Sequence, residues 1–427
     1  MTINEIKNYV ESDAFIDNVL DIYCSKKPED IADERRRYLK LADMALKLYG
    51  DGDYHIISSP GRIEVGGNHT DHQKGYVIAA SINIDNLCIV KKSDDMKASF
   101  YDDKFLMNEV DLNDLQIHEE EKANTKSILR GTAARFNELS YKIGGFKACQ
   151  DMRVLVGSGL SSSACFEILI TEIYNSLYNE GKVDAVDRAI ISQWVENNYF
   201  GKPCGLMDQL SIAVGGFSSI DFYTERPSVE KNEFSFGNNG YQLLIINTKG
   251  DHADLTSEYA SIPSEMKEVA RFFGEEHLSR VNPDDFYTRL SEVREHIKND
   301  RALLRAHHYF NETERAKKLN IAIRKKEIVK IISLMNESGN SSYKYLQNVY
   351  DTHDTKRQAV ALGLALAEKY VKDEGLARVQ GGGFAGTIQA VIKKERETEF
   401  IKDLSGVFGN DAIIPVEIRH SGTKQVV

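Results

Sequence analysis

Apolar residues over the first fifty positions recur at three- and four-residue intervals among charges, the period of a helix with one buried face. The period then shortens. Tyr54–Ile57 predicts a strand, and Pro60-Gly61 after it reads as a turn. Val77–Ile84 and Leu87–Val90, rich in branched side chains, predict two more strands. From Ser161 the helical period returns. Leu169, Ile173 and Leu177, with Phe166 and Ile170 beside them, form a stripe headed by serines, which are favourable N-cap residues. Ala185–Tyr199 predicts another helix, broken at Gly201-Lys202-Pro203. Loose, polar composition around residues 220–240 sets an expected domain boundary. Beyond it, Tyr241–Asn247 predicts a strand, residues 257–371 are mostly helical, and Gln380–Ile392 alternates with strand period after its glycines. There are no repeats and no low-complexity tracts.

Composition narrows the class. A chain of 427 residues can hold two or three domains. It is 41% hydrophobic and 28% charged, as ordinary globular proteins are. The balance of 54 basic against 65 acidic residues argues against a nucleic-acid or anionic-membrane partner. Short basic runs such as Arg35-Arg36-Arg37 sit among acidic residues and read as solvated helix faces. Five scattered cysteines with no C-x-x-C pair exclude a disulfide framework and a zinc ribbon. No apolar run approaches the ~20 residues of a membrane helix, and the N-terminus lacks a secretory pattern. The expectation is a cytoplasmic protein.

Two segments carry candidate chemistry for phosphate. Gly157-Ser158-Gly159-Leu160-Ser161-Ser162-Ser163-Ala164 runs into a predicted helix. A helix N-terminus offers unpaired N–H groups and partial positive charge, glycines allow close approach, and serine hydroxyls add donors or a metal ligand. A Ser-capped helix after a glycine turn would look the same, and no G-x-x-x-x-G-K-[ST] is present. Gly381-Gly382-Gly383-Phe384-Ala385-Gly386 fits the dinucleotide fingerprint literally. That fingerprint needs a following helix, whereas Thr387–Ile392 is strand-like, so the glycines read as a tight turn beside a site.

Two further segments suit a polyol. Ser59-Pro60-Gly61-Arg62-Ile63-Glu64-Val65-Gly66-Gly67-Asn68-His69-Thr70-Asp71-His72 brings cation, amide, imidazole and carboxylate together. A zinc site would need a further ligand that is not apparent. A polar turn with a structurally bonded His69 stays open as the alternative. Glu196 ends a predicted helix, and Gly205-Leu206-Met207-Asp208-Gln209 follows with a carboxylate in a Gly-rich loop. Alone, such an Asp reads as a cap or turn residue.

Together and in this order these segments resemble the three signature motifs of the GHMP small-molecule kinases, and the first resembles the galactokinase branch. Galactokinases open with P-G-R-x-N-x-x-G-E-H-T-D-Y, matched here at Pro60, Gly61, Arg62, Gly67, His69, Thr70 and Asp71. Their P-x-G-x-G-L-S-S-S-A is matched from Gly157 to Ala164, with Leu155 in the proline position. G-G-G-F-G-G appears with Ala385 for one glycine, and Glu196 to Gln209 is similar to E-x-x-x-x-G-x-P-C-G-x-M-D-Q. Ser257-Glu258-Tyr259 matches S-E-Y.

The resemblance implies an α+β, two-domain GHMP architecture. Its N-terminal domain (41–230) would resemble ribosomal protein S5 domain 2, and its C-terminal domain (231–427) would be ferredoxin-like, after a helical extension at 1–40. It implies that Asp208 faces the sugar's anomeric hydroxyl, with Arg62 between that hydroxyl and the γ-phosphate of ATP. Gly157, Ser158, Gly159, Leu160, Ser161, Ser162 and Ser163 would wrap the phosphates, and Ser163 and Glu196 would hold Mg²⁺. Asn68, His69, Thr70, Asp71, Gly205 and Tyr259 would line the sugar pocket. The implied reaction is ATP-dependent phosphorylation of galactose at its anomeric hydroxyl, by a monomer with a small-molecule sugar substrate.

Two departures bear on the substrate. Asn68 replaces the family's Glu and His72 its Tyr. The family Glu is expected to bond the sugar's 6-hydroxyl, and its loss would favour a C6 carboxylate. Plant galacturonate kinases of the same family carry H-I-D-H-Q, close to His69-Thr70-Asp71-His72-Gln73. Galacturonate is therefore the alternative substrate. A non-catalytic sugar and ATP sensor is a further reading, disfavoured because Ser163-Ala164, Asp208 and Arg62 are retained. No motif marks the adenine pocket.

Overall fold

The computed structural model describes residues 1–102, 106–155, 159–202, 204–250, 255–372 and 374–427. Branched and aromatic residues after Asp53 form a sheet around two long antiparallel strands, β1 (Tyr54–Gly66) and β2 (Tyr76–Ser93). It continues with β3 (Lys97–Asp102), β4 (Leu106–Asp111), β5 (Gly145–Met152), β6 (Phe217–Asp221) and β7 (Ser228–Asn232). The second sheet holds β8 (Tyr241–Asn247), β9 (Leu376–Val379), β10 (Thr387–Lys393) and β11 (Ile413–Val416). A last strand, β12 (Lys424–Gln425), returns to the first sheet beside β1, making it eight-stranded.

Two expectations from the sequence change here. Pro60-Gly61 is not a turn: β1 runs through it, with its register against β2 shifting between Pro60 and Arg62 and again between Glu64 and Gly66. Such bulges accommodate a residue without an N–H and re-aim the side chains that follow. The two strands expected at 77–84 and 87–90 are one. The polar break between them stays in the sheet because its charge and its amide donor are paired. Asp85 takes Arg37 Nη1 at 2.6 Å, and Asn86 Nδ2 donates to Gln150 Oε1 at 2.6 Å.

The opening residues form helices Ile3–Val10, Asp13–Tyr23 and Pro28–Tyr49, so the expected limit at residue 40 falls inside the third. Ile6, Phe15, Val19, Ile22 and Leu41 pack on Tyr54, Ile56, Leu87 and Ile89 and seal one face of the sheet. Helices Thr125–Glu138, Ser162–Tyr178 and Ala185–Val195 cover the other face, with Leu129, Leu169, Ile173 and Val195 against Val90, Phe146 and Ala148.

The second sheet is antiparallel with order β11-β8-β10-β9. Helices including Thr256–Phe272, Asp300–Arg324, Ile328–Ser341 and Ala359–Val371 separate β8 from β9, and Glu397–Phe408 separates β10 from β11. This β-α-β-β-α-β course is the ferredoxin-like arrangement. The segment expected as a boundary at 220–240 holds the hairpin strand β7, which belongs to the first sheet. The chain's end also leaves the second unit, through an Ile82–Ile418 bridge and β12. Gly381–Gly386 joins two antiparallel strands, β9 and β10, which removes the dinucleotide-binding reading. No helix among the described residues is long and apolar enough to cross a membrane.

Candidate active site

The bulges in β1 turn Arg62 and Glu64 into a cleft of about 460 Å³ between the two sheets. Arg62 meets Asp208 in a two-pronged pair, Nε to Oδ1 and Nη2 to Oδ2, both at 2.7 Å. Asp208 stands in the first turn of the helix Met207–Val214 and also accepts from the Ser161 hydroxyl. Burial works to raise its pKa, but the Arg62 guanidinium and the Ser161 hydroxyl prevail and hold it below the usual carboxylate range. Its side chain keeps 30% exposure, so a ligand in the cleft can reach it.

Ser161, Ser162 and Ser163 lie at the N-terminus of the helix Ser162–Tyr178 and all line the cleft. Ser161 occupies the cap position at φ 58°, yet its hydroxyl serves Asp208 and makes no cap bond. The serines therefore do not close the helix end as expected of N-caps. First-turn N–H groups remain for a ligand. Gly159 also lines the cleft, at φ 69°, and its carbonyl accepts from Arg62 Nη1. An added Cβ there would stand 2.2 Å from Thr387 Oγ1, so the loop can lie against β10 only as glycine. Leu160 is fully buried and packs inward instead of lining the cleft. Gly157 and Ser158 fall outside the described residues.

His69, Asp71, Gly205 and Tyr259 also line the cleft, together with His72, Glu64 and Gly382. His69 Nε2–H donates to the Gly382 carbonyl at 3.0 Å. Burial, and after it His72, lower its pKa to about 4. Between about pH 4 and 6.5 the unfolded chain then holds a proton on His69 that the folded chain does not, so stability falls on acidification through that window. His69→Asn is expected to flatten the dependence of Tm on pH there in part, since the buried His308 acts with the same sign. Melts of both proteins at pH 7.5 and 5 check this.

Gly205 passes so close to Asp71 that an added Cβ would stand 2.1 Å from its Oδ2. The loop is set by Asn197 Oδ1, which accepts from Cys204 N at 2.9 Å, and by Gln193 Nε2, which donates to the Cys204 carbonyl at 3.1 Å. Gly205→Ala is expected to displace Asp71 and, for the sugar that the sequence resemblance implies, to raise KM about tenfold, the scale of one charge-assisted hydrogen bond, with the KM for ATP unchanged. Initial rates at varied sugar check it. Tyr259 donates to the Gly383 carbonyl at 2.8 Å, its phenol pushed up to about 12 by burial. Its neighbour Glu258 fixes the segment by accepting from Thr352 Oγ1 at 2.8 Å.

Asn68 and Thr70 do not join this wall. Asn68 is fully buried, giving Nδ2–H to Glu64 Oε2 (2.6 Å) and the Gly381 carbonyl (2.8 Å). Its Oδ1 accepts from Ser342 (3.0 Å) and Asn348 (2.9 Å). Thr70 is buried with its hydroxyl on the Gly67 and Tyr76 carbonyls. Both hold the turn that presents His69 and Asp71. The side chain that reaches the cleft is Glu64, 1% exposed and paired with Arg378 Nη2 at 2.6 Å.

Glu196 begins a π-helical turn, Glu196–Phe200, after the helix Ala185–Val195, and lines the cleft. Its Oε2 accepts from Gln209 Nε2 at 3.0 Å, and Lys202 Nζ stands 4.0 Å from its Oε1. Burial raises its pKa. A second cavity of about 430 Å³ adjoins, lined by Phe100, Ile128, Met152, Phe166 and Phe200 among others and sharing Ser162 and Ser163 with the first.

Family models match two stretches of the chain, a galactokinase galactose-binding signature over residues 46–92 and the GHMP kinases N-terminal domain over 127–216. A galactokinase of Actinobacillus pleuropneumoniae is 31% identical over 354 residues, 82% of this chain and 88% of its own. The chain belongs to the galactokinase family. A Clostridium tetani galactokinase is 28% identical over 364 residues, 84% of this chain and 89% of its own. The structure of Lactococcus lactis galactokinase complexed with galactose shares the fold, with a TM-score of 0.78 and 24% identity, over 90% of this chain and 98% of that one.

Within the family, the Glu64–Asn68 contact is the informative departure. The family pattern has Asn and Glu where this chain has Glu64 and Asn68. The hydrogen bond between them links the two positions, with amide and carboxylate exchanged. Glu64 stands at the position where the pattern has Asn, and that mismatch is the sequence signal for it. Lys202, Glu167 and the second cavity had no such signal.

Proposed function

We propose that the chain transfers the γ-phosphoryl group of ATP to the anomeric hydroxyl of galactose. The observation that carries this reading is the Arg62–Asp208 pair, which lies between an open helix N-terminus and a polyol-binding wall in one cleft. Phosphoryl transfer has a loose transition state, so positioning and charge neutralisation supply most of the catalysis. Asp208 orients the sugar hydroxyl. Held below the usual carboxylate range, it is too weak a base to strip that hydroxyl beforehand and takes the proton late, as the new P–O bond forms. Arg62 keeps Asp208 ionised and sets a guanidinium beside the phosphate path.

ATP phosphates lie along the helix N-terminus at Ser161, Ser162 and Ser163, and the nucleoside occupies the apolar second cavity beyond them. Mg²⁺ fits the donors present: Ser163 and Glu196 offer hydroxyl and carboxylate oxygens to the cleft, the hard ligands this ion prefers. When bound, the ion neutralises phosphate charge. The protein acts as a cytoplasmic monomer.

Galactose is favoured over galacturonate by the wall itself. Asn68 points away from the cleft, so its lack of charge does not relieve a C6 carboxylate. Asp71 stays at the wall, and a like charge at ~4 Å costs roughly 4 kcal/mol at an effective dielectric of 20, while the charge of Glu64 is already met by Arg378. ADP release by the purified protein with ATP and Mg²⁺ tests this, comparing galactose, galacturonate, glucose, galactosamine and no sugar. Galactose is expected to give the highest kcat/KM. A galacturonate maximum would overturn the assignment.

A further inference from the structure

Two buried oxygens lie without a donor where the phosphate-binding helix meets the helix that carries Asp208. Glu167, one turn into Ser162–Tyr178, is 1% exposed. Its Oε2 accepts from Gln209 Nε2 at 3.1 Å, but its Oε1 accepts from nothing, and Gln209 Oε1 is likewise buried without a partner. The same Gln209 Nε2 also serves Glu196 Oε2 at 3.0 Å, so one amide N–H₂ group stands between two buried carboxylates. Among the described residues no ion pair reaches Glu167. Carboxylates buried side by side are costly unless a cation or proton compensates them, and native structures seldom leave such acceptors empty.

The position of the group says which cation. Glu196 and Gln209 line the first cavity, Glu167 lines the second, and Ser162 and Ser163 line both. The cluster therefore sits at the passage between the sugar cleft and the apolar nucleoside cavity, where phosphate oxygens would lie. Its free atoms are carboxylate and amide oxygens, hard donors suited to a small divalent ion that keeps some of its water.

We propose that Glu167 is the second carboxylate of the divalent-cation site, facing the ion directly or through one of its waters, with the Gln209 side-chain carbonyl as a further oxygen donor. The inference rests on the reading of the chain as a Mg²⁺-dependent kinase. Gln209 then has two tasks: its amino group holds Glu167 and Glu196 side by side, and its carbonyl faces the ion. The competing arrangement is a neutral Glu167 whose proton is given to Gln209, a packing role with no part in metal binding.

Mn²⁺ with AMP-PNP, followed by the electron paramagnetic resonance of free Mn²⁺, separates the two in the full-length protein. Glu167→Gln keeps the shape and a hydrogen bond to Gln209. It is expected to weaken Mn²⁺ binding about tenfold or more, in the manner of Glu196→Gln. Mn²⁺ binding at wild-type strength in Glu167→Gln would overturn the inference. Should that variant fail to fold, Glu167→Asp decides: a shorter carboxylate is expected to weaken Mn²⁺ about threefold or more, and unchanged affinity overturns. Wild-type protein that turns over no sugar would instead fail the kinase reading, and with it this one. Turnover with an indifferent Glu167 would fail this inference alone.

Discussion

Asp208→Asn is expected to lower kcat with galactose by about two to four decades while ATP still binds, the span typical of a positioned base. The substitution changes little volume. It removes the charge that holds Arg62 in its two-pronged geometry and, in the proposed mechanism, the acceptor that takes the sugar proton late in transfer. The helix N-terminus and the second cavity, to which the proposed function gives the nucleotide, are left in place. Initial rates at saturating ATP, with ATP affinity measured by calorimetry, separate the two effects. Wild-type turnover in the variant would remove Asp208 from the chemistry.

Arg62→Met should lower kcat/KM for galactose by roughly two to three decades, the usual cost of one aimed transition-state donor. A second signature follows from the pKa balance at Asp208. Burial raises that pKa and Arg62 is the largest influence lowering it, so without the guanidinium only the Ser161 hydroxyl and the more distant Lys202 oppose burial. The acid limb of the kcat profile should therefore move to higher pH in Arg62→Met, because Asp208 must be ionised to accept the hydroxyl proton. A lowered rate with an unmoved acid limb would mean that Arg62 acts on the phosphate alone.

The chemistry of the site was legible where it is local in the chain. His69 and Asp71, the serines at 161–163, Glu196, Gly205, Asp208 and Tyr259 stand in short motifs, and the fold brings them to one cleft. Strand Tyr241–Asn247 and the helix after Ser161 are also set by local periodicity, and both form within a residue of the expected limits. What the sequence hides depends on partners far along the chain. Asp85 can sit mid-strand because Arg37 reaches it from the N-terminal helices, and Glu64 can be buried because Arg378 comes from β9. Local pattern cannot register such pairs, so β2 reads as two strands and Pro60-Gly61 as a turn.

Asn68 is the instructive failure. Its place in the motif made it a candidate for the sugar's C6 position, yet four hydrogen bonds to Glu64, Gly381, Ser342 and Asn348 turn it inward. The carboxylate expected at 68 is supplied at 64, one exchange across a single hydrogen bond. Thr70 follows the same logic, its hydroxyl spent on two backbone carbonyls of the turn. The first forty-odd residues, which carry no motif, prove to be three helices sealing the outer face of the first sheet.

The most direct test is the identity of the product. Purified protein would be incubated with ATP, Mg²⁺ and galactose labelled with ¹³C at C1, and the product followed by ³¹P and ¹³C NMR. A sugar phosphate whose phosphorus couples to the labelled C1, formed in step with ADP, is the expected result. Phosphate on another carbon, or ADP formed with no sugar phosphate, would contradict the placement of the anomeric hydroxyl between Asp208 and the phosphate path.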